Sequence, residues 1–325
     1  MLDIVLPILT SFFLTLITLI LLAKAAPTLG LVDRPGPRKH HNGDVPLVGG
    51  IAIFISFILG SLIWHNSLGE SLISIGNHAL PTLITASGIL VFVGVLNDRY
   101  KLHVSIKILS EIIVALVVIE GLELNLRNLG ALSGGESITL PTYIGYPFTI
   151  IAIFGLINAF NMLDGIDGLL PSLVLITLLS VHLFTQTRPQ LVTLLIAPSL
   201  LAFLVSNMSS SVYIPKTFLG DAGSRLLGFI VACLLISASS GQVGNSKLLL
   251  PVTALYLVAL PLYDMTFIVI RRIIKSGSPF EPDRSHIHHL IQNMGFSDKR
   301  TLFIILFLGS APPLIGLILN AFKVR

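Results

Sequence analysis

Long apolar runs recur along the whole chain and are separated by short polar connections. Each run approaches the roughly 20 residues that a helix needs to cross a bilayer. The runs occupy residues 4–23, 46–65, 79–96, 105–120, 143–160, 169–185, 190–206, 224–240, 248–270 and 301–320. No polar stretch between them is long enough for a separate soluble domain. The pattern predicts a single polytopic domain over residues 1–325, an all-α integral membrane protein with a bundle of about ten transmembrane helices.

The composition agrees with this pattern and excludes several classes of protein. Hydrophobic residues make up 54% of the chain and charged residues only 11%, whereas a soluble domain has about 25% charged residues. Cys233 is the single cysteine, which excludes disulfides and cysteine-based metal sites. The net charge of +4 comes without a basic cluster interleaved with aromatic residues. We therefore expect the lipid bilayer, and no nucleic acid, as a partner.

The distribution of charge predicts the orientation of the chain. The first run lacks a basic leading region and is too long for a secretory signal, so we expect a retained helix. If the N-terminus lies outside, the strongly polar connections all fall on one side: residues 24–45, 97–104, 158–168, 207–223 and 271–300. That side, with the adjoining span ends, holds fifteen of the twenty Lys and Arg residues. Cationic loops stay in the cytoplasm. On the other side, the alternating run Ser137–Leu140 predicts a short hairpin.

Acidic residues lie near the span ends on the predicted cytoplasmic side, and one lies inside a span. They are Asp98, Asp164, Asp167, Asp221 and Asp264. An ionisable side chain at membrane depth costs several kcal/mol, so each of these marks a functional site. Because they converge on one face, we expect chemistry at that face rather than at the midplane, where a carrier binds its substrate.

Polar groups repeat at every third position at the end of the fifth run, at Asn158, Asn161, Asp164 and Asp167. A helical conformation would place these amides and carboxylates on one stripe. The glycines that follow would let the backbone approach a ligand. The alternative is a capped helix end that makes local turn bonds. Four such groups exceed what a cap requires, so the segment indicates a binding site.

A second candidate segment places Asp221 between Gly220 and Gly223, just before an apolar helix. Such a turn can present backbone N–H groups to a phosphate, while the carboxylate holds a hard cation. The alternative is that Asp221 only caps the helix.

A third segment combines a guanidinium with three imidazoles in Asp-Arg-Ser-His-Ile-His-His. Arg284 can bind a phosphate through two parallel hydrogen bonds. His286, His288 and His289 can bond phosphate oxygens or transfer protons. A zinc site made of histidines alone is the rival, but it requires side chains that converge, whereas neighbouring side chains point apart.

The loop after the first span is basic as well. Arg38–His41 precedes Pro46–Gly50, and a cytoplasmic anchor explains the charges. It does not explain the glycine pair Gly49-Gly50. Acids, cations and histidines at one lipid boundary suggest a magnesium-bound diphosphate substrate that meets an amphiphilic phosphate acceptor. A P-loop and a Rossmann glycine fingerprint are both missing from the sequence.

At these residues the chain resembles the polyprenyl-phosphate N-acetylhexosamine-1-phosphate transferases, and within them the branch that starts O-antigen and enterobacterial common antigen. The resemblance runs from about Arg34 to Gly309. It rests on Asn-Ala-Phe-Asn-Met-Leu-Asp-Gly-Ile-Asp-Gly, Phe-Leu-Gly-Asp-Ala-Gly-Ser and the histidine segment. It implies UDP-N-acetylglucosamine as the donor, undecaprenyl phosphate as the acceptor and Mg²⁺, with Mn²⁺ as a substitute. It also implies a bacterial inner membrane with the active-site loops facing the cytoplasm, and it leaves a homodimer open.

The same resemblance implies roles for individual residues. Asp221 and Asn161 are similar to Mg²⁺ ligands, and Asp167 and Phe218 are similar to uracil contacts. Arg284 with the histidine cluster resembles a grip on the diphosphate. Further positions that we expect to act in catalysis or substrate binding are Asp98, Asp164, Asn158, Asn207 and His41.

One position departs from the family pattern, which has two adjacent aspartates at the end of the third span. This chain has Asn97 followed by Asp98, and an amide cannot accept a proton at neutral pH. An acceptor phosphate with its second pKa near 6 is already mostly a dianion, and an amide oxygen can coordinate a cation. We expect a working but slower enzyme in which Asp98 orients or activates the acceptor. The alternatives are another UDP-N-acetylhexosamine donor, a carrier, or a paralogue that binds without turnover.

Overall fold

A computed structural model describes residues 2–35, 43–68, 79–131, 137–185, 191–211, 213–240, 249–275 and 285–321. Its helices, in chain order, are α1 (Leu2–Leu29), α2 (Gly49–Leu68), α3 (Ala79–Tyr100), α4 (Val104–Gly121), α5 (Thr142–Leu163), α6 (Leu169–Thr185), α7 (Leu191–Asn207), α8 (Gly220–Ser240), α9 (Pro251–Leu257), α10 (Ala259–Ile274), α11 (Ile287–Asn293) and α12 (Asp298–Ala321). Its strands are β1 (Val32–Asp33), β2 (Val45–Pro46), β3 (Asn128–Ala131) and β4 (Ser137–Thr139). The expected all-α class is confirmed.

The predicted apolar runs all fall on helices, but these helices differ in length. Five described segments are long and apolar enough to cross a membrane: Ile4–Leu29, Ala79–Tyr100, Thr142–Leu163, Gly220–Ser240 and Asp298–Leu317. A sixth arises if α9 and α10, which are bent by 79° at their break, count as one span. Three further apolar helices, α2, α6 and α7, are shorter. The chain is a multi-pass membrane protein, and the number of ten spans stays a prediction.

Helix α8 lies at the centre of the bundle. It packs against α2, α3, α5 and α6, and its residues from Ala222 to Ser239 are all buried. Cys233, on this helix, is 1% exposed. The outer faces of α1 and α12 instead expose large apolar side chains such as Phe13, Leu21 and Phe303. In a membrane protein such surfaces face lipid, so α8 is the helix that the others enclose.

The short strands form two separate antiparallel pairs. The hairpin predicted around Ser137–Leu140 is present, because β3 pairs with β4 with Asn128 opposite Thr139. Strands β1 and β2 pair with Val32 opposite Pro46. The β1–β2 pair lies between α1 and α2 in the chain, and it fixes where the N-terminal turn of α2 begins.

The glycine pair that opens α2 lies against the loop before α8. Leu47 bridges Phe218 in parallel, and the backbone N–H groups of Gly49 and Gly50 donate to the carbonyls of Phe218 and Leu219 at 2.9 and 3.0 Å. A Cβ on Gly50 would lie 2.1 Å from the backbone nitrogen of Gly223. The pair therefore has a packing reason that the sequence alone did not reveal.

Helix α3 approaches the start of α8 just as closely. A Cβ on Gly94 would lie 2.4 Å from the Cα of Ala222. Gly50 and Gly94 thus let two helices meet the first turn of α8 backbone to backbone. Small residues permit such close approach between membrane helices, and the close packing holds the helices together.

We expect Gly50→Ala to destabilise the protein, because the added methyl group would meet backbone atoms that cannot rotate away. Overpacking of this kind costs about 1–3 kcal/mol. The matched control is Gly155→Ala in α5, where an added Cβ meets no atom within 4 Å. Thermal unfolding in detergent should show a lower midpoint for Gly50→Ala than for Gly155→Ala. Equal midpoints for the two variants would contradict the proposed packing role of Gly50.

Candidate active site

Asp221 occupies the first turn of α8 and receives polar side chains from two other helices. Its Oδ2 accepts a hydrogen bond from Asn97 Nδ2 of α3 at 2.5 Å. Its Oδ1 accepts from Asn161 Nδ2 of α5 at 3.3 Å, and the same amide donates to Ser224 Oγ at 2.8 Å. The last turns of α3 and α5 therefore meet the first turn of α8 around one carboxylate.

Asp98 lies on the opposite side of the same turn. Its Oδ1 accepts from the backbone N–H of Asp221 at 3.1 Å. Its Oδ2 is buried and has no hydrogen-bond partner among the described residues. Gly220 makes this approach possible, because it has φ +69° and a Cβ there would lie 2.4 Å from Asp98 Oδ2. A carboxylate oxygen is thus held beside Asp221 with a lone pair free for a ligand.

The residues around Asp221 fit a divalent cation that prefers oxygen ligands. Two carboxylates and two amides converge here, and a half-turn of each amide about its Cβ–Cγ bond would present oxygen in place of N–H. Mg²⁺ is commonly held by one or two carboxylates while its other positions go to water and substrate phosphate. Among the described residues no three His, Cys, Asp or Glu side chains form a metal cluster. A cation here would therefore depend on the amide oxygens.

The loop after α5 carries the two remaining acids of the predicted stripe. Helix α5 ends at Leu163, and Asp164 is its C-cap. Asn158 and Asn161 are therefore helical, whereas Asp164 and Asp167 lie in the loop beyond. The expectation of one continuous helical stripe is wrong for its second half, because the backbone leaves the helix before Gly165.

Asn207 joins this loop to the loop before α8. Its Oδ1 accepts from the backbone N–H of Gly168 at 2.7 Å, and its Nδ2 donates to the carbonyl of Thr217 at 2.9 Å. Asn207 is 4% exposed. Asn207 was predicted to contact substrate. In the structure its side chain connects the loop after α5 to the loop before α8, and it thereby positions both loops.

Lys216 is a site residue that the sequence analysis missed. It forms an ion pair with Asp167, and its Nζ lies 5.5 Å from the centre of the Phe218 ring. Both charged side chains are partly exposed. Lys216 was counted only as a loop cation, because nothing in the local sequence links it to an acid 49 positions away.

The histidine segment is anchored by the acid that lies inside a span. Asp264 of α10 accepts from the backbone N–H of Ile287 at 2.8 Å, and its other oxygen lies 2.8 Å from His286 Nδ1. Asp264 is 9% exposed and His286 8%. The buried carboxylate thus fixes the start of α11 and the orientation of the His286 ring.

His288 packs against the loop after α5. A Cβ on Gly165 would lie 2.2 Å from the His288 ring, so only glycine lets the two segments meet. Burial, with the charges of His289 and His286, lowers the pKa of His288 to about 3. The ring is therefore neutral at physiological pH, and its Nδ1 has no hydrogen-bond partner among the described residues. His289 lies beside it, with its Nδ1 3.2 Å from Gln292 Oε1.

Asn158 faces into the bundle. Its Nδ2 donates to Glu111 Oε2 at 2.7 Å. Glu111 Oε1 in turn lies 2.9 Å from Arg225 Nη2 in an ion pair. Arg225, which the charge count placed among the cytoplasmic loop cations, is 2% exposed and lies inside the bundle. Neither Glu111 nor Arg225 was predicted as a functional residue. The remaining candidates, Arg284 and His41, lie outside the described residues.

Asp164 lies near three other acidic side chains, and this changes its ionisation. Its removal from water, followed by the negative charges of Asp221, Asp98 and Asp167, raises its pKa to about 7. A neutral and an ionised form of this carboxyl are therefore both available near physiological pH. Such a group can exchange a proton with a bound phosphate.

Fold and site together define a multi-pass membrane protein with a cluster of carboxylates and amides at the ends of α3, α5 and α8. The model of glycosyl transferase family 4 matches residues 80–239. Curated relatives named undecaprenyl-phosphate alpha-N-acetylglucosaminyl 1-phosphate transferase include one from Yersinia pestis, 35% identical, with 94% of this chain and 82% of the relative aligned. Another, from Escherichia coli K12, is 36% identical over 94% of this chain and 80% of the relative. A Bacillus subtilis protein with the name "probable undecaprenyl-phosphate N-acetylglucosaminyl 1-phosphate transferase" is 30% identical over 93% and 82%.

The chain belongs to glycosyl transferase family 4. The family match covers α3 to α8 almost completely, and these helices carry Asn97, Asp98, Asn161 and Asp221. The residues brought together at the start of α8 are thus within the matched region, while the histidine segment lies beyond it.

We expect Asp164 to make stability depend on pH. Because its folded-state pKa of about 7 exceeds the usual 3.8, the folded protein keeps a proton that the unfolded chain has lost between about pH 4 and pH 7. Ionisation therefore removes stability as pH rises through this window. Asp164→Asn should match the native protein near pH 4 and should unfold at a progressively higher temperature than the native protein as pH rises to about 7, measured in EDTA.

The control for this experiment is Asp298→Asn, which changes an exposed carboxylate at the start of α12. The difference in unfolding midpoint between Asp298→Asn and the native protein should not grow over the same pH range. A pH-independent difference for Asp164→Asn would contradict the raised pKa.

Proposed function

We propose that this protein transfers N-acetylglucosamine-1-phosphate from UDP-N-acetylglucosamine to undecaprenyl phosphate, giving undecaprenyl-diphospho-N-acetylglucosamine and UMP. The substrates come from the names of relatives that are 35% and 36% identical over 94% of the chain. The observation that carries the proposal is the meeting of Asp221, Asn97, Asn161 and Asp98 at one end of three membrane helices. We place this end on the cytoplasmic face of a bacterial inner membrane, where most Lys and Arg residues of the loops would lie.

A divalent cation, Mg²⁺ or Mn²⁺, would be held by Asp221 with amide oxygens from Asn161 and Asn97. When bound, such a cation neutralises charge on a diphosphate and stabilises the leaving phosphate. Asp98 accepts a hydrogen bond from the backbone N–H of Asp221, so the residues that would hold the donor diphosphate and the residue that would face the acceptor are neighbours. This arrangement supports transfer between two bound phosphates.

Asp98 is the residue suited to orient the acceptor. Its free Oδ2 can hold a protonated phosphate oxygen by a hydrogen bond or take its proton. A phosphate with its second pKa near 6 is mostly dianionic at cytoplasmic pH, so positioning matters more than deprotonation. We favour direct attack of the acceptor oxygen on the β-phosphorus, with UMP leaving. The alternative is double displacement, in which the phosphoryl group would first form a covalent aspartyl phosphate. Trapping that intermediate would favour double displacement, because direct attack does not form it.

The histidine segment would close the site over the diphosphate. His288 stays neutral because its pKa is about 3, so it can donate a hydrogen bond without adding charge. Arg284 precedes it by four residues in the sequence, and its guanidinium would bind phosphate oxygens in pairs. We assign the loop with Asp167, Lys216 and Phe218 to the nucleoside. Phe218 offers a ring for stacking on uracil, and Asp167 offers an acceptor for its N–H.

The acceptor tail would need an apolar path beside the site. A small recess lies beside the break between α9 and α10, and its lining residues are Leu173, Ile176, Thr177, Leu257, Leu260, Pro261 and Gly309. We propose that part of the isoprenoid chain lies along this face. The location of the polar residues at helix ends favours an enzyme over a carrier, because a carrier binds its substrate near the midplane.

The proposal predicts release of UMP from UDP-N-acetylglucosamine by the purified protein, dependent on both undecaprenyl phosphate and a divalent cation. The measurement is UMP formed with and without Mg²⁺, with EDTA and lipid-free reactions as controls. UMP that appears only with UDP-N-acetylgalactosamine would assign another donor. Nucleotide binding without any UMP would instead support a binding paralogue and contradict the proposed activity.

Asn97→Asp tests the departure from the family pattern. Asn97 Nδ2 donates to Asp221 Oδ2 at 2.5 Å, so a carboxylate at position 97 would repel Asp221 in the absence of a cation. We expect a lower unfolding midpoint for Asn97→Asp in EDTA, a larger stabilisation by Mg²⁺ and turnover at least equal to that of the natural protein. An active variant beside a natural protein without turnover would show that Asn97 abolishes the reaction.

A further inference from the structure

A buried ionic cluster lies beneath the candidate cation site and has no role in the chemistry described above. Its centre is Glu111 of α4, which is 1% exposed. One carboxylate oxygen forms an ion pair with Arg225 Nη2 at 2.9 Å. The other accepts from Asn158 Nδ2 at 2.7 Å. One carboxylate on α4 therefore joins α8 to α5.

The register of α5 and α8 places this cluster directly below the site. Arg225 follows Asp221 by four residues in α8, and Asn158 precedes Asn161 by three in α5. Residues three or four apart lie on the same face of a helix, one turn apart. Asp221 and Asn161, two of the expected cation ligands, thus each lie one turn above a residue that Glu111 holds.

The packing below this cluster leaves α5 and α8 little freedom to separate or slide. One turn further along α8, a Cβ on Gly228 would lie 2.9 Å from the Cα of Ile157. Backbone contact at Gly228 limits how closely the helices approach, while Glu111 holds their register through one hydrogen bond from Asn158 and one ion pair with Arg225. The distance between Asp221 Oδ1 and Asn161 Nδ2, 3.3 Å, depends on both.

The cluster is poorly suited to a purely stabilising role. Nε and Nη1 of Arg225 are buried and have no hydrogen-bond partner among the described residues. A buried ion pair with unsatisfied donors is often no more stable than apolar side chains of the same volume. Its directional bonds, in contrast, specify one arrangement of three helices, which apolar contacts would not.

We propose that Glu111 is a positioning residue of the cation site, holding Arg225 and Asn158 so that the side chains of Asp221 and Asn161 stay within hydrogen-bond distance of one another. The inference rests on the proposed function only in taking this site to bind a divalent cation. Some residues do not contact the metal but hydrogen-bond to its ligands and orient them. Replacing such a residue typically weakens metal binding by about 10–100-fold.

The first experiment is a Mn²⁺ titration of full-length protein in detergent, followed by electron paramagnetic resonance. Glu111→Gln removes the charge that pairs with Arg225 at similar side-chain volume. We expect its Mn²⁺ dissociation constant to rise about 10–100-fold. The matched control is Glu120→Gln, which makes the same change at an exposed position of α4 and should leave Mn²⁺ affinity unchanged. Unchanged affinity in Glu111→Gln would overturn the inference.

A double variant separates positioning from folding. Glu111→Leu with Arg225→Leu removes both charges, so no buried charge is left without a partner. Its unfolding midpoint should lie close to that of the native protein, while its Mn²⁺ affinity should stay reduced. Native affinity in this double variant would show that Glu111 acts only on stability and would overturn the inference.

The native protein in the same titration separates this inference from the proposed function. Mn²⁺ binding by native protein that releases no UMP would contradict the proposed reaction, while the weakened binding of Glu111→Gln would still support the role of Glu111. Native protein that binds no Mn²⁺ would overturn the positioning role, since there would be no cation site to position.

Discussion

The structure depends on the burial of α8 from its first turn to its last. A helix enclosed on every side in a membrane protein must satisfy its polar groups within the protein, because lipid offers no hydrogen bonds. Asp221 and Arg225 lie in its first two turns. Their neighbours must therefore supply both close backbone contact and polar partners, and Gly50 and Gly94 provide the first of these. The candidate site is located at the first turn of α8, where both the backbone contacts and the polar partners are needed.

The charges at the site are unbalanced in a way that favours ligand binding. Removal from water, together with the negative charges of Asp221, Asp98 and Asp167, raises the pKa of Asp164. Two of the described cations nearby are already paired, Lys216 with Asp167 and Arg225 with Glu111. Negative charge in a low dielectric is relieved by a proton or by a cation. The uptake of a divalent cation and the loss of a proton are therefore linked at this site, since each substitutes for the other.

Hydropathy and motif spacing predicted the membrane helices, the β3–β4 hairpin and the acids that gather at one end of the bundle. They could not predict pairings between distant parts of the chain. Arg225 reads as a loop cation because it follows a polar turn, and only the packing of α4 against α5 and α8 brings Glu111 to it. The Gly49-Gly50 pair was visible, but its reason is a contact with Gly223. The break between α9 and α10 was missed because both halves are apolar.

The amides around Asp221 explain how a site with so many acids can exist without its cation. Asn97 and Asn161 donate N–H groups to the carboxylate and so compensate its charge when no metal is present. The same side chains carry carbonyl oxygens that a cation can use once the amides rotate. A carboxylate at position 97 would offer the cation a stronger ligand but would leave Asp221 facing a like charge before the cation arrives. In the proposed cation site, asparagine at position 97 would therefore favour stability of the protein without cation over tight cation binding, and a diphosphate that arrives with its own cation would make the weaker site sufficient.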